Sequence, residues 1–168
     1  MNIVAIIQAR MGSSRLKGKV LMELEGKPVI GHIVERLLFS KKLNRIIVAT
    51  SISPKDDVLY GFCMKNGIDV FRGQENDVLD RYYQAAKLYS ADVIVRITGD
   101  CPVVDPDIVD ELVDFYLSKE FDVCGLSGEF PDGLDCELFS FNCIKEACMS
   151  ANLKSEREHV GTYFYNNS

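Results

Sequence analysis

The stretch "NIVAIIQARMGSSRLKGKVL" (residues 2–21) joins an apolar run to a loop rich in glycine, serine and cations. The run 3–7 is apolar on both faces, which predicts that residues 2–7 form a buried strand of a parallel sheet, ended by Gln8 and Arg10. The loop that follows concentrates four positive side chains, although the chain has a formal net charge of −6. These are Arg10, Arg15, Lys17 and Lys19. The local excess of positive charge indicates a binding site for a small, strongly negative ligand.

Length and composition predict a single domain over residues 1–168, with a hydrophobic fraction of 47% and a charged fraction of 26%. No run approaches the roughly 20 apolar residues of a membrane span. The opening run is also too short for a signal peptide, so we expect a cytoplasmic protein with no membrane partner. The acidic balance argues against nucleic acid as a partner, since nucleic-acid binding requires a broad basic face.

The six cysteines contain no Cys-x-x-Cys pair, and most lie among apolar neighbours. Zinc sites and disulfide frameworks usually show tighter spacing. We therefore predict reduced, buried thiols.

Strand-like apolar runs alternate with helical patterns along the chain, which predicts an α/β fold. Such a chain forms a mostly parallel sheet with helices on both faces. The predicted strands are 2–7, 45–50, 69–71, 92–97, 122–126 and 134–141. The predicted helices are 28–39, 54–66, 78–89, 107–118, 142–150 and 156–165, the last with a capping box formed by Ser155 and Glu158.

In such sheets the ligand crevice lies beyond the carboxyl ends of the strands, where the loop after Ile7 falls. Gly12 and Gly18 allow the backbone to approach a ligand closely, and Ser13 and Ser14 add hydroxyl donors. The loop matches neither the Walker A pattern nor Gly-x-Gly-x-x-Gly. It predicts a phosphate site of unspecified type; the alternative is a solvated basic loop.

A second loop, "RITGDCP" (residues 96–102), follows the strand 92–97. Asp100 is a single carboxylate at the end of that strand, and Mg²⁺ bound to phosphates typically takes one or two protein carboxylates. Asp100 is therefore a candidate magnesium ligand. Arg96 points to the opposite face from Ile97, and two partners remain open for it: the nucleotide or an acidic neighbour.

Five stretches together resemble a known family: "IIQARMGSSRLKGKVL", "FRGQENDVLDRYYQAA", "VRITGDCPVVDP", "PDGLDCELFS" and "SEREHV". They are similar to the acylneuraminate (CMP-sugar) cytidylyltransferases, and most similar to the branch called spore coat polysaccharide biosynthesis protein F. The resemblance implies a Rossmann-like (GT-A-like) nucleotidyltransferase fold. It also implies that a sugar acceptor attacks the α-phosphate of CTP with release of pyrophosphate, for surface polysaccharide biosynthesis.

Carried onto this sequence, the resemblance implies that Arg10 and Lys19 hold the triphosphate and that Lys19 also stabilises charge on the α-phosphate. It assigns Asp100 to Mg²⁺, and these three are the candidate catalytic residues. The candidate nucleotide-binding residues are Ala9, Arg10, Gly12, Ser13, Ser14, Arg15, Lys19, Arg72 and Thr98.

On the acceptor side, the candidate substrate-binding residues are Asp132, Asp135, Glu137 and His159. A polar turn, an exposed strand face and a charged helix start are the alternative explanations for these residues. The strand 134–141 alternates as a partly exposed strand does, and relatives suggest a homodimer.

The sequence departs from the family in one respect: the later aspartate, in a pattern like Val-Asp-Thr-Pro-Glu-Asp, has no counterpart after His159. A fragment, a shortened homologue with its second carboxylate elsewhere, and an incomplete active site all remain open. Two other functions are also considered. One is a glycosyltransferase that uses Asp105 and Asp107, although Asp105-Pro106 is more typical of a helix start; the other is a catalytically silent nucleotide-binding module.

Overall fold

The apolar run at the start of the chain forms the central strand of a six-stranded sheet, in a computed structural model that describes residues 1–12, 16–119, 121–126 and 128–167. The strands are β1 (Ile3–Gln8), β2 (Glu23–Leu24), β3 (Lys27–Pro28), β4 (Arg45–Ser51), β5 (Asp69–Gly73), β6 (Val93–Thr98), β7 (Val123–Gly125) and β8 (Cys136–Ser140). The helices are α1 (Val29–Leu37), α2 (Asp57–Lys65), α3 (Val78–Leu88), α4 (Pro106–Ser118), α5 (Phe141–Ser150), α6 (Lys154–Glu158) and α7 (Val160–Asn167).

The large sheet has the strand order β5-β4-β1-β6-β8-β7, and β2 and β3 form a separate small ribbon. β5, β4, β1 and β6 are parallel to their neighbours, whereas β8 is antiparallel to both β6 and β7. The fold is thus a Rossmann-like α/β fold with a parallel half and a short antiparallel half. The prediction of a mostly parallel sheet is confirmed. The structure adds that β8 and β7, at one side of the sheet, pair in antiparallel fashion.

Helices cover both faces, as the sequence predicts, because both faces of β1 are apolar and buried from Ile3 to Ile7. Ile3, Ala5 and Ile7 of β1 pack with α1, α2 and α4, whereas Val4 and Ile6 pack with α3 and α5. Each buried aliphatic side chain of this kind contributes about 1.5–3 kcal/mol relative to exposure. The sheet is therefore held by two cores, one on each face.

A strand forms within the predicted range 134–141, but the prediction that one of its faces is exposed to solvent is wrong. β8 lies inside the sheet between β6 and β7, with Leu138 buried in one core and Phe139 in the other. Alternation there separates two buried faces rather than a buried face from a solvated one. The strand is not an edge, so it offers no open edge to a second subunit.

The prediction of one last helix over 156–165 is also wrong. α6 ends at Glu158, His159 has an extended backbone (φ −123°, ψ 100°), and α7 begins at Val160. The start of α6 is fixed by Glu156, which is buried and accepts a hydrogen bond from the Leu153 backbone N–H at 3.3 Å, rather than by Ser155 and Glu158. The break places His159 at a corner between two helices.

Asp105 caps α4, since its side chain accepts from the N–H groups of Asp107 at 2.9 Å and Ile108 at 3.4 Å. The helix-start interpretation of Asp105-Pro106-Asp107 is thereby confirmed, and the metal-binding pattern required by the glycosyltransferase alternative is not formed. None of the helices in the described ranges is long and apolar enough to cross a bilayer.

All six cysteines are free thiols, and Cys63 and Cys136 are fully or almost fully buried. Burial raises the pKa of Cys63 to about 11 and raises the pKa of Cys136 well above its ordinary value. Since the thiolate is the reactive form, we expect iodoacetamide at pH 8 to alkylate both at least about 100-fold more slowly in the folded protein than in guanidinium chloride. Peptide mass spectrometry of timed samples measures this ratio, and equal rates in the two states would contradict the buried position of these thiols.

Candidate active site

The carboxyl ends of β1 and β6 lie side by side and open into a cavity of about 310 Å³. Its walls come from the loops after these two strands and from the corner between α6 and α7. The lining residues are Gln8, Ala9, Arg10, Lys19, Val20, Arg96, Thr98, Gly99, Asp100, Glu158 and His159. The two loops singled out in the sequence therefore converge on one site.

Lys19 and Asp100 form an ion pair across this cavity. Gly18 makes the approach possible, because it adopts a left-handed conformation (φ 72°) and its N–H donates to the Met11 carbonyl at 3.0 Å. This bond folds the loop back on itself, and Lys19 then begins a short 3-10 helix over Lys19–Leu21. The ammonium group is thus fixed above the ends of the strands.

The Asp100 carboxylate is held in its charged form. Burial raises its pKa, but hydrogen bonds from Lys19 and Thr98, together with the positive charge of Lys19, outweigh this effect and bring the pKa below its ordinary value. A lowered carboxyl pKa means that the pair stabilises the fold at neutral pH and that this contribution is lost only as the pH falls through the lowered value. Asp100 is therefore an anionic ligand at any physiological pH.

The loop after β1 is anchored by a residue that sequence reasoning did not select. Asp56 is buried, and its carboxylate accepts hydrogen bonds from the Met11 N–H at 2.7 Å, from the Ser51 N–H at 3.2 Å and from the Ser51 hydroxyl. Losing a buried acceptor of this kind leaves unsatisfied donors. No local pattern marks Asp56, which sits in an ordinary helix-start sequence.

Gly99 allows the two strand ends to meet. Its N–H donates to the Gln8 carbonyl at 2.8 Å, and an added Cβ would lie 2.8 Å from that same oxygen and 2.9 Å from the Cβ of Ala9. No side chain fits there without a shift of the backbone. Gly99 thus fixes the spacing between Ala9 and Asp100.

The other predicted nucleotide-binding residues lie in different places. Thr98 lines the cavity, with its Oγ1 3.0 Å from the Cys101 Sγ. Gly12 is exposed, on the side of the loop towards Glu75. Ser13, Ser14 and Arg15 lie outside the described residues.

Arg72 does not line the cavity in the described structure. Its guanidinium donates to the carbonyls of Ser51 at 2.9 Å and Ser53 at 3.1 Å and to the Asp57 carboxylate at 2.7 Å, and it stacks over Tyr60 at 5.2 Å. These contacts tie the end of β5 to the segment after β4.

Of the predicted acceptor-side residues, His159 lines the cavity, and Glu137 pairs with Arg96 in the cavity wall. Asp132 and Asp135 lie in an exposed turn and are absent from the cavity lining. The sequence left two partners open for Arg96, the nucleotide or an acidic neighbour. In the structure Arg96 pairs with the acidic neighbour Glu137 and also lines the cavity.

A second, larger cleft of about 730 Å³ lies over the ends of β4 and β5. It is lined by Ile52, Ser53, Pro54, Gln74, Glu75, Asn76, Asp77, Asn152, Lys154 and Arg157. Arg157 crosses it, donating through Nε to the Asp77 carboxylate at 2.9 Å and through Nη1 to the Cys148 carbonyl at 2.6 Å. These bonds hold α6, and with it the His159 corner, against α3 and α5.

The described residues contain no cluster of three or more metal-binding side chains. A metal ion here would depend on the Asp100 carboxylate and on ligand oxygens, which is the usual arrangement for Mg²⁺ on a nucleotide.

Comparison with known proteins identifies the family of this chain. Residues 4–168 match the family model described as "Cytidylyltransferase". The chain belongs to the cytidylyltransferase family. It is a nucleotidyltransferase by that membership, and the resemblance stated from five sequence stretches is confirmed.

Three relatives illustrate the range of the family. An uncharacterized protein, MJ1063, from Methanocaldococcus jannaschii is 46% identical over 99% of this chain and 68% of its own length. The spore coat polysaccharide biosynthesis protein SpsF from Bacillus subtilis is 35% identical over 98% of this chain and 70% of its own. A 3-deoxy-manno-octulosonate cytidylyltransferase from Trichlorobacter lovleyi is 36% identical over 71% of this chain and 46% of its own.

The fold of this cytidylyltransferase also matches a solved structure closely. A cytidylyltransferase from Leptospira borgpetersenii superposes with a TM-score of 0.94 at 38% identity, over 99% of this chain and 72% of that one. The β1 loop and β6 loop thus lie in a fold already known to belong to this enzyme family.

We expect Gly99→Ala to destabilise the protein by about 1–3 kcal/mol, because the methyl group collides with backbone at the strand ends. Gly61→Ala is the matched control, since Gly61 is exposed within α2 and an added Cβ there meets nothing within 4 Å. The control substitution should be neutral or stabilising by up to about 1 kcal/mol, because alanine favours helix. Urea unfolding of both variants tests this, and equal stabilities would show that the strand ends are not closely spaced.

Proposed function

We propose that this cytidylyltransferase transfers a cytidylyl group from CTP to a sugar acid and releases pyrophosphate, for surface polysaccharide biosynthesis. The observation that carries the proposal is the convergence of Arg10, Lys19 and Asp100 in one cavity at the ends of two adjacent strands. The names of the relatives support the acceptor class, since one acts on 3-deoxy-manno-octulosonate and another serves spore coat polysaccharide synthesis.

Arg10 and Lys19 have the charge needed to bind the triphosphate, with the backbone N–H groups of the glycine-containing loop as further donors. A hydroxyl of the acceptor attacks the α-phosphorus, and the bond from that phosphorus to the bridging oxygen of pyrophosphate breaks. Fixed positive charge next to the α-phosphate stabilises the negative charge that develops. Lys19 is the residue best placed to supply it.

Mg²⁺ fits the site, because Asp100 is an ionised carboxylate at the point where the phosphates would lie. Asp100 would hold the ion, and phosphate oxygens and water would complete its coordination. When bound, the ion supplies Lewis-acid neutralisation of the phosphate charge. The Lys19 ammonium pairs with Asp100, so it lies where phosphates bound beside Asp100 could accept its hydrogen bonds.

We place the nucleoside in the 730 Å³ cleft over the ends of β4 and β5. The free thiols fit a reducing compartment, which is consistent with the proposed cytoplasmic location. A homodimer stays a prediction, and β8, the strand on which it was based, is already paired on both sides.

The test is pyrophosphate release from a panel of nucleoside triphosphates with Mg²⁺, each combined with 3-deoxy-manno-octulosonate, N-acetylneuraminate and neutral hexoses. We expect release with CTP and a sugar acid only. Thermal stabilisation by CTP without release from any acceptor would instead identify a silent nucleotide-binding module. Absence of both stabilisation and release would contradict the proposal altogether.

Replacing Lys19 with Gln should lower the rate of pyrophosphate release by about 10²–10³-fold, as loss of a preorganised charge at a developing anion does. Asp100→Asn should have a comparable effect and should also raise the Mg²⁺ concentration needed for half-maximal rate. Lys42→Gln is the control, because the Lys42–Asp114 pair joins the segment after α1 to α4, away from the cavity. Full activity of the Lys19 and Asp100 variants would remove this mechanism.

A further inference from the structure

The Arg96–Glu137 ion pair lies on the face of the sheet that packs against α3 and α5, next to apolar neighbours. Arg96 lies opposite Glu137 in the antiparallel register of β6 and β8, and their side chains are only 22% and 23% exposed. The neighbouring residues on the same face, Ile94 and Phe139, are fully buried. An ion pair so poorly exposed usually gives no more stability than an apolar pair of the same size, so its presence points to function.

The hydrogen bonds of Arg96 are incomplete. Among the described residues its guanidinium makes one side-chain hydrogen bond, from Nη1 to Glu137, and its Nε is buried with no partner. A guanidinium carries five N–H donors in a planar fork that suits two carboxylates at once. Glu137 therefore occupies Nη1 and the protein encloses Nε, while the remainder of the guanidinium has no hydrogen-bond partner among the described residues.

The position of the pair separates it from the phosphate-binding loop. That loop is tied towards α2 through Met11 and Asp56, on the far side of β1 from β8. The Arg96–Glu137 pair lies instead beneath the start of α7, since an added Cβ at Gly161 would be 3.4 Å from the Glu137 Oε1. Arg96 thus lines the same cavity as Lys19 but on the side of Glu158 and His159.

We infer that Arg96 binds the carboxylate of the sugar-acid acceptor, with Glu137 as its second, permanent partner. This inference rests on the proposed function and adds the residue that selects an acid over a neutral sugar. The acceptor carboxylate accepts hydrogen bonds from the part of the Arg96 side chain that is exposed and lines the cavity. Glu137 holds the guanidinium in place. Because its negative charge offsets the positive charge of Arg96, the acceptor carboxylate is bound weakly enough to dissociate.

The first part of the test uses matched acceptors. 3-Deoxy-manno-octulosonate and N-acetylneuraminate are each compared with the same sugar carrying a primary alcohol in place of the carboxyl group, at saturating CTP and Mg²⁺. We expect the KM of the acid to be lower by about 10- to 100-fold, the usual effect of a hydrogen bond to a charged group. Equal use of acid and alcohol by the wild-type protein would overturn the inference.

The second part uses variants of the pair. The double variant Arg96→Gln/Glu137→Gln leaves no unpaired buried charge, and it should raise the acceptor KM by about 10-fold or more while the KM for CTP stays within about twofold. Arg96→Lys keeps the charge but loses the fork and should be intermediate. Glu137→Gln keeps a carbonyl oxygen that can accept from the fork but removes a competing anion, and it should lower the acceptor KM. An exposed cross-strand pair is the matched control, in the variant Arg45→Gln/Asp69→Asn, which should change neither constant.

The outcomes are distinct. A rise in the KM for CTP rather than for the acceptor would assign Arg96 to a phosphate and overturn the inference. If Arg96→Gln and Glu137→Gln lower the thermal stability to the same extent and raise the KM for the acceptor and the KM for CTP to the same extent, the pair is purely structural and the inference is overturned. Pyrophosphate release from no acceptor in the wild type would instead refute the proposed function, and the inference would fall with it.

Discussion

The pairing of β1 with β6 is the constraint on which the site depends. The two strands are parallel and in register from Ile3 opposite Val93 to Gln8 opposite Thr98. The loops that follow β1 and β6 therefore leave the sheet at the same point. Gly99 permits backbone contact there, and the left-handed turn at Gly18 brings Lys19 back over the opening. A cation and an anion separated by 81 residues in sequence meet as a result. Without the register of these two strands, neither loop has a defined partner.

Much of this arrangement follows from sequence, because its signals are local. The continuous apolar run of β1 predicts a strand buried on both faces, and the glycine-rich cationic loop predicts a phosphate site. Asp105 before Pro106 predicts a helix start, and the structure shows that cap. The rule that parallel sheets bind ligands at their carboxyl ends then places Arg10, Lys19 and Asp100 together. Each step uses no more than a few adjacent residues.

The remainder depends on contacts that no short window of sequence records. β8 has the alternation of a half-exposed strand, but the helices on both sides bury its two faces. Asp56 holds the loop after β1 through a backbone N–H 45 residues away. The α6 helix, and with it the His159 corner, is held by Arg157, whose guanidinium donates to Asp77, 80 residues away in sequence. Tertiary contacts overrode the local pattern in each case, and they hold both the cationic loop and the wall of the cavity.

The change of strand direction at β6 divides the sheet into two parts with different connections. The parallel part, β5-β4-β1-β6, needs long crossovers, and each of its loops is joined to a helix of the core. The antiparallel part, β8 and β7, is joined by a surface segment and carries only one charged residue against β6. Insertions and exchanges in that outer ribbon would leave the crossover helices in place. Sequence changes in β7, β8 and the segment between them therefore need not disturb the parallel strands whose ends carry the β1 and β6 loops.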